Sequence, residues 1–268
     1  MTLRYWICLI LGCLLSLCVH ANDEALTAAA NGPHRSADNI ARNDSRHPVA
    51  TLEFFGLRPD MTVVEVWPGA GGWYTEILAP YLRLSGRFIT ANFDGSTGLE
   101  YFANADRQFR EKLAADPGVY DKVEISGLMP PARLDIAPAG SADLVVSFRN
   151  LHNWVNNGIA EQMFEAIFAV LKPGGTLGLV AHRGTPDMVG AAAAKTGYLA
   201  ESEARRLAEG AGFQFVASAE INANPRDTKD YADGVWTLPP SYRRGDVERE
   251  KYAAIGESDR MTLKFSKP

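Results

Sequence analysis

The sequence predicts an α/β protein with a doubly wound, mostly parallel β-sheet. Residues 62–78, TVVEVWPGAGGWYTEIL, pass from a β-branched run through a glycine turn into a helical pattern. Residues 142–148, ADLVVSF, form a continuous apolar run, which suits a strand that is covered on both faces. Apolar strands that alternate with helical patterns are typical of α/β domains.

The other elements follow the same alternation. Pro80 is expected to end the first helix, because proline has no amide hydrogen to continue the helical bonding. Further strands are predicted at residues 86–91, 122–125, 176–181, 211–216 and 260–265. Helices are predicted at residues 73–81, 100–115, 162–171 and 201–210.

The composition is that of an ordinary globular protein. The chain has 268 residues, of which 46% are hydrophobic and 22% are charged, and its formal net charge is −5. This length suits one large domain, and the acidic balance gives no indication of a nucleic-acid partner. The five histidines show no metal-ligand spacing, and the sequence has no Gly-x-Ser-x-Gly elbow. These absences argue against a zinc site and against a serine hydrolase.

The first 21 residues are interpreted as a secretory signal peptide. Arg4 precedes an apolar run at residues 7–19, and Ala21 supplies a small residue for cleavage. All three cysteines lie in this segment, so the mature chain would have none. The expected location is periplasmic or secreted, and an uncleaved membrane anchor is the alternative. Residues 22–36 are expected to form a flexible lead-in to a single domain over residues 37–268.

The loop after the first predicted strand has the residues of a nucleotide-type site. Glu65 stands at the carboxyl end of the strand, where it can pair with a cationic group of a ligand. Gly69 and Gly71 let a ligand approach the main chain, because they have no Cβ atom. Trp67 and Pro68 lie between Glu65 and Gly69, and the large ring is expected to narrow the loop.

Two side chains after the second predicted strand are candidates for binding ribose hydroxyls. In nucleotide-binding α/β folds this position carries an acid that accepts hydrogen bonds from the ribose. Asn92 occupies the usual position, and Asp94 lies two residues later. Both residues are kept as candidates.

Polar and aromatic residues also follow the apolar strand at residues 142–148. The segment RNLHNW contains Asn150, His152 and Trp154, and it lies where an open α/β sheet binds its ligands. His152 is a candidate general base, because imidazole titrates near physiological pH. The alternative is a histidine that is hydrogen-bonded to a loop carbonyl.

Together these stretches resemble the class I S-adenosylmethionine-dependent methyltransferases. Residues 65–71 resemble motif I, an acid followed by Gly-x-Gly-x-Gly, with Trp67 in the place of the first glycine. Residues 151–154, LHNW, are similar to the LHDW of some small-molecule O-methyltransferases, and VLKPGGTL at residues 170–177 is a frequent companion of that motif. The resemblance implies a seven-stranded sheet in the order 3-2-1-4-5-7-6 with strand 7 antiparallel, and S-adenosylmethionine as cofactor.

The resemblance assigns five candidates to the methyl donor. Glu65, Gly69 and Gly71 would hold its methionine part, and Asn92 or Asp94 its ribose. The activity implied is transfer of the methyl group to an unidentified small molecule.

The N-terminus predicts export, whereas the donor is made in the cytoplasm. A second hypothesis is therefore kept, a non-catalytic periplasmic binding or scaffold protein that retains the fold.

Residues after strand four and a long insertion would form the acceptor side. The resemblance places Asn150 and His152 at catalytic positions and Trp154 against the substrate. The insertion at residues 222–259 contains aromatic residues, among them Trp236, which favour a cover over the substrate pocket. Packing on the sheet edge is the alternative. The expected partner is a small molecule, with neither nucleic acid nor stable membrane insertion after signal cleavage.

Overall fold

The computed structural model describes residues 24–94 and 100–268. The signal peptide predicted at residues 1–21 lies outside these ranges. Within them, no helix combines the length and the apolar character needed to cross a membrane.

Seven strands form a single sheet. They are β1 Thr62–Val66, β2 Arg87–Asn92, β3 Val123–Gly127, β4 Ala142–Phe148, β5 Leu171–His182, β6 Gln214–Ala219 and β7 Arg260–Ser266. Their order is β3-β2-β1-β4-β5-β7-β6. β7 runs antiparallel to β5 and β6, and the other neighbouring strands are parallel. The predicted order and the antiparallel seventh strand are confirmed.

Helices cover both faces of the sheet, as the continuous apolar strands require. On one face Leu52 and Ile77 belong to a core with β1 and β4, and on the other face Phe164 and Leu207 belong to a second core. The helices are α1 at residues 24–30, α2 Ala37–Ala41, α3 Asn43–Arg46, α4 Pro48–Phe55, α5 Thr75–Leu82, α6 Glu100–Ala115, α7 Pro117–Tyr120, α8 Leu151–Asn156, α9 Ala160–Val170, α10 Gly190–Ala194, α11 Glu201–Gly210 and α12 Arg249–Ile255.

The segment before the first strand is packed in its described part, so the flexible lead-in predicted for residues 22–36 is wrong there. α1 buries Leu26 in the core of the domain. Arg35 is also buried, and its Nε donates a hydrogen bond to Glu76 at 3.0 Å. The alanine-rich composition concealed this packing, because small side chains give a weak apolar pattern.

Pro80 lies inside α5, and the prediction that it ends the helix is wrong. A proline leaves the carbonyl group four residues earlier without its helical donor. Here that carbonyl belongs to Glu76, and it accepts a hydrogen bond from His34 Nε2 at 2.7 Å. The helix therefore continues to Leu82 without an unsatisfied carbonyl group at this point.

The insertion at residues 222–259 has little regular structure but a defined anchor. It contains a 3-10 helix at Gly234–Thr237 and, later, α12. The carboxylate of Asp227 accepts hydrogen bonds from the hydroxyl of Tyr198 at 3.0 Å and from the backbone amide of Asp259 at 2.7 Å. These bonds fix the insertion at the carboxyl end of the sheet.

Candidate functional site

A cavity of about 240 Å³ opens at the carboxyl ends of β1, β4 and β5. Loops after these strands form one side of it, and the insertion forms the other. The sheet order reverses between β1 and β4, which is where open α/β sheets bind ligands. The lining includes Gly69, Arg149, Asn150, His152, His182 and Trp236.

Trp236, the predicted substrate contact of the insertion, lies in the cavity wall. Its ring is edge-on to His152, with ring centroids 5.7 Å apart, and the guanidinium of Arg243 stacks over it at 4.6 Å. The neighbouring amide of Val235 donates to the carbonyl oxygen of Thr196 at 2.8 Å, which holds this part of the insertion. The structure therefore brings Trp236 and the catalytic candidate His152 together.

Glu65 ends β1 as a buried carboxyl group. It is 3% exposed, and its Oε2 accepts a hydrogen bond from the hydroxyl of Thr75 at 2.6 Å. Burial raises the pKa of Glu65 to about 7, against the opposing effects of the Thr75 hydrogen bond and of Lys112. A cationic ligand group would favour the ionised form. Glu65 does not itself line the cavity.

The glycine loop leaves space in front of its main chain. Gly69 lines the cavity with φ +71°, and a Cβ atom added there would meet no atom within 4 Å. Its left-handed backbone, rather than a lack of room, favours glycine. Gly71 is equally open, and its carbonyl oxygen accepts a hydrogen bond from Lys112 Nζ. Of these two predicted residues, Gly69 reaches the cavity and Gly71 does not.

Trp67 stands in the first glycine place of motif I, and its side chain is buried. Its backbone has φ +50°, and its Nε1 donates to the carbonyl oxygen of Leu128, just beyond β3, at 2.8 Å. The ring packs against Phe93 after β2 and Trp154 in α8, with centroid distances of 4.8 and 6.2 Å. The indole thus fills the space between the ends of β1, β2 and β3.

The two ribose candidates lie at the end of β2 and do not line the cavity. Asn92 is 3% exposed, and its Nδ2 donates to Asp106 at 3.3 Å. Asn92 Oδ1 has no hydrogen-bond partner among the residues that the structure describes. Asp94 is partly buried. The structure therefore separates both candidates from the acceptor side and leaves one orphaned acceptor atom, on Asn92.

Asn150 connects the ends of β1 and β4. Its Nδ2 donates to the carbonyl oxygens of Val66 and Trp67, at 2.9 and 3.2 Å, and lies 3.1 Å from Ser147 Oγ. An amide nitrogen has two hydrogens to donate, and here they hold the loop after β1. These bonds give Asn150 a positioning role, and its catalytic role stays a prediction.

His152 lies in the first turn of α8 and lines the cavity. Its Nδ1 is buried without a partner among the described residues, which leaves Nε2 as the ring nitrogen able to meet a ligand. Burial and, secondly, the charge of Arg149 lower the pKa of His152 to about 4. The imidazole is therefore neutral at physiological pH, as the predicted general base requires, but it is a weak base.

Trp154 is a core residue and does not line the cavity. Its ring packs edge-on against Phe164 of α9, with centroids 5.6 Å apart. The predicted substrate contact is therefore wrong for this residue, because α8 directs the indole towards α9 and not towards the cavity.

Residues that the sequence analysis left unassigned complete the wall. His182 ends β5, and its ring centroid is 5.6 Å from that of His152. His182 Nδ1 and Ser258 Oγ are 2.6 Å apart, and Glu257 lies beside them in the lining. A polar residue at the carboxyl end of β5 was a usable signal for His182. No local pattern marks Glu257, because its place depends on the path of the insertion.

Comparison with known proteins identifies the fold. No protein-family model matches the sequence, and no curated protein matches it. A SAM dependent methyltransferase from Aquifex aeolicus is similar in structure at 17% identity and a TM-score of 0.54, over 85% of this chain and 93% of that one. The [4+2]-cyclase SpnF is similar at 16% identity and a TM-score of 0.57, over 91% of this chain and 92% of that one. A SAM-dependent methyltransferase from Methanosarcina mazei is similar at 15% identity and a TM-score of 0.51, over 81% of this chain and 96% of that one. The chain therefore has the class I methyltransferase fold.

Proposed function

We propose that the protein is an S-adenosylmethionine-dependent methyltransferase that acts on a small molecule. One observation carries the proposal: the open glycine loop after β1 and the neutral imidazole of His152 after β4 line the same cavity. In an open α/β sheet such a pair of loops forms the ligand site. Two of the structurally similar proteins are described as methyltransferases of this kind.

The side chains near the loop suit two parts of the donor. The buried Glu65, with its pKa of about 7, suits the amino group, and the uncovered main chain at Gly69 and Gly71 leaves room beside it. The orphaned Oδ1 of Asn92 suits a ribose hydroxyl. Trp67 fills the space between the ends of β1, β2 and β3, so a donor that extends past Asn92 must displace this ring or pack against it.

When bound, S-adenosylmethionine supplies an activated methyl group for a nucleophilic oxygen, nitrogen or carbon of the acceptor. The cavity walls orient the acceptor, and orientation supplies much of the rate. His152 Nε2 accepts a hydrogen bond from the acceptor group, and it takes the proton where that group is acidic. Because the pKa of His152 is about 4, we expect an acceptor group that is already nucleophilic or easily ionised.

Calorimetric titration of the purified protein with S-adenosylmethionine, and separately with S-adenosylhomocysteine, tests the proposal. We expect micromolar binding, about −8 kcal/mol, and weakening by about tenfold or more in Glu65→Ala. Glu124→Ala is the matched control, because Glu124 is an exposed residue of β3 that pairs with Arg87. It should leave binding unchanged. Folded protein that binds neither ligand would contradict the proposal.

Trp67 favours a second function, that of a binding or scaffold protein that retains the fold without methyl transfer. Its indole fills the space between the ends of β1, β2 and β3 and so reduces the room for a nucleotide-like donor beside Asn92. The similar structure SpnF is described as a [4+2]-cyclase, and one fold commonly hosts different functions. Binding of a small molecule in the cavity, without binding of the donor or of S-adenosylhomocysteine, would favour this alternative.

We also propose that residues 1–21 direct export of the chain. The apolar run and the small residue Ala21 support this proposal. Mass spectrometry of protein recovered from the periplasm of a Gram-negative host should then give a chain that begins at Asn22. A chain that retains Met1 in the membrane fraction would support the N-terminal anchor instead.

A further inference from the structure

A cluster of arginines beside the cavity surrounds a single carboxylate. Glu257 accepts hydrogen bonds from Arg42 Nε at 2.7 Å, Arg46 Nε at 3.3 Å and Arg260 Nη1 at 3.1 Å. Arg149 is the fourth member, and it lines the cavity together with Glu257. Arg46 and Arg260 are 1% and 4% exposed, so their charges are enclosed by protein.

Glu257 does not balance the positive charge of this cluster. Within the described part of the chain, no other carboxylate forms an ion pair with any of the four arginines. Arg42 Nη2, Arg46 Nη1 and Arg260 Nε are buried without a hydrogen-bond partner there. Burial lowers the pKa of Arg149 to about 10. Uncompensated buried charge is unfavourable, so the cluster gains from a further anion.

Arg149 is the member of the cluster that is placed to meet a ligand. Its backbone is left-handed, with φ +63°, and its amide donates to the carbonyl oxygen of Val180 in β5 at 2.6 Å. Its guanidinium has no hydrogen bond or ion pair with another described residue. A non-glycine residue stays in this region of backbone space only where its surroundings hold it there. The strain points to a required side-chain position.

We propose that Arg149 binds a carboxylate group of the molecule on which the protein acts, so that its substrates are small organic acids. The inference rests on the proposed function in one respect, namely that the bound molecule is the methyl acceptor. A guanidinium group binds a carboxylate through two parallel hydrogen bonds. Trp236 and Pro239 line the same cavity and supply apolar surface for the rest of the ligand.

The position of Arg149 assigns the anion to the acceptor. Arg149 and His152 both follow β4, and Trp236 comes from the insertion, whereas only one of the donor candidates, Gly69, lines the same cavity. The charge of Arg149 acts directly on the His152 ring. An acid bound at Arg149 therefore lies beside the imidazole and the aromatic wall.

Calorimetric titration with matched acids and amides tests the charge requirement. The acids are benzoate, 4-hydroxybenzoate and 4-hydroxyphenylacetate, and each neutral amide keeps the ring and loses the charge. We expect at least one acid to bind about tenfold or more tightly than its amide. Equal affinities within every pair, or no binding of any acid at millimolar concentration, would overturn the proposal.

Variants of Arg149 test whether its positive charge causes the preference for acids over amides. Arg149→Gln should abolish the preference for acids, and Arg149→Lys, which keeps the charge but loses the paired donors, should retain part of it. Arg243→Gln is the matched control, because it removes an exposed positive charge next to Trp236 and should leave the preference intact. An unchanged preference in Arg149→Gln would overturn the proposal. If that variant fails to fold, the Arg149→Lys result and the acid–amide comparison in the unaltered protein still decide.

The carboxylate of S-adenosylmethionine is the other source of an anion. If Arg149→Gln weakens binding of S-adenosylmethionine but leaves the preference for acids, the anion belongs to the donor and the proposal is overturned. Acid binding without donor binding would contradict the proposed methyltransferase and support the Arg149 site. Donor binding without acid binding would support the proposed methyltransferase and overturn the Arg149 site.

Discussion

The indole Nε1 of Trp67 donates a hydrogen bond to the carbonyl oxygen of Leu128, 2.8 Å away. This bond joins the loop after β1 to the residue after β3, across the end of the intervening β2. A buried indole whose N–H group has a partner is a stable arrangement. The ring therefore opposes any ligand that needs the same space.

Trp67→Gly should strengthen binding of S-adenosylmethionine and S-adenosylhomocysteine. The change removes the ring and restores the motif I glycine, which accepts φ +50° without strain. Lost packing should cost about 3 kcal/mol of stability, and relief of backbone strain should offset about 1 kcal/mol of it. Calorimetry should show binding about tenfold tighter, which is about 1.4 kcal/mol, and thermal unfolding should show the lower stability.

Trp67→Phe separates the volume of the ring from its hydrogen bond. This variant keeps aromatic bulk against Phe93 and loses the bond to Leu128. We expect lower stability without tighter donor binding. An equal gain in donor affinity in both variants would mean that the bond, and not the ring's volume, limits binding. No gain in either variant would place the donor away from Trp67.

The strands and helices were predictable where neighbours along the chain decide the structure. β4 at Ala142–Phe148 and α11 at Glu201–Gly210 have the predicted bounds, because β4 is a continuous apolar run and α11 has a periodic apolar face. β5 begins at Leu171, five residues before the predicted start at 176. Leu171 pairs with Ala142 ahead of a register shift, and the sequence around Leu171 has no pattern that predicts such pairing.

The site was predictable in part for the same reason. His152 and Trp236 stand out as ring side chains in segments that α/β folds use for ligands, and the cavity brings them together. Whether Trp154 faces the cavity or the core depends on how α8 packs, which no local pattern shows. Glu257 meets Arg46 across 211 positions of sequence, so this contact follows only from the completed fold.

The protein should lose stability as the pH falls below about 6.5, with His152 as one cause. Burial and then the charge of Arg149 lower the pKa of His152 to about 4 in the fold, whereas an unfolded histidine has a pKa of about 6.5. Between these values the unfolded state binds more protons, so the free energy of unfolding decreases with decreasing pH. His152 should contribute a loss of about 2 kcal/mol between pH 7.5 and pH 5.

Urea unfolding at the two pH values measures this loss. His152→Asn should show the smaller pH dependence, and His182, whose pKa burial also lowers, should account for a remaining part. His47→Asn is the control, because His47 is exposed. A His152→Asn variant that keeps the full pH dependence of the unaltered protein would contradict the assignment.

Glu65→Gln should stabilise the protein at pH 8 while weakening donor binding. Burial raises the pKa of Glu65 from 4.5 to about 7, so the folded state binds more protons than the unfolded state between these values. The resulting stability is lost as the pH rises through this window. At pH 8 glutamine removes a penalty of about 3 kcal/mol at most, reduced by a weaker hydrogen bond with Thr75. Urea unfolding should show the gain at pH 8 and not at pH 5, and equal gains would exclude a pKa origin.

Tyr198→Phe should destabilise the insertion at residues 222–259 and the cavity wall that it forms. Tyr198 is fully buried, and its hydroxyl donates to both carboxylate oxygens of Asp227 at 3.0 Å. Without the hydroxyl Asp227 stays buried with one partner fewer, which costs about 1 to 3 kcal/mol. Because the same insertion supplies Trp236 to the cavity, ligand binding should weaken together with local stability.

Hydrogen exchange separates a local effect from a global one. In Tyr198→Phe we expect faster amide exchange within residues 222–259, because Asp227 also holds the backbone amide of Asp259 at the end of the insertion. Amide exchange in β4 should stay unchanged. Tyr101→Phe removes a hydroxyl from an exposed side chain and should leave exchange unchanged. If exchange rises equally in β4 and in the insertion, the Tyr198 hydroxyl stabilises the whole domain, and the insertion is not an independently opening wall of the cavity.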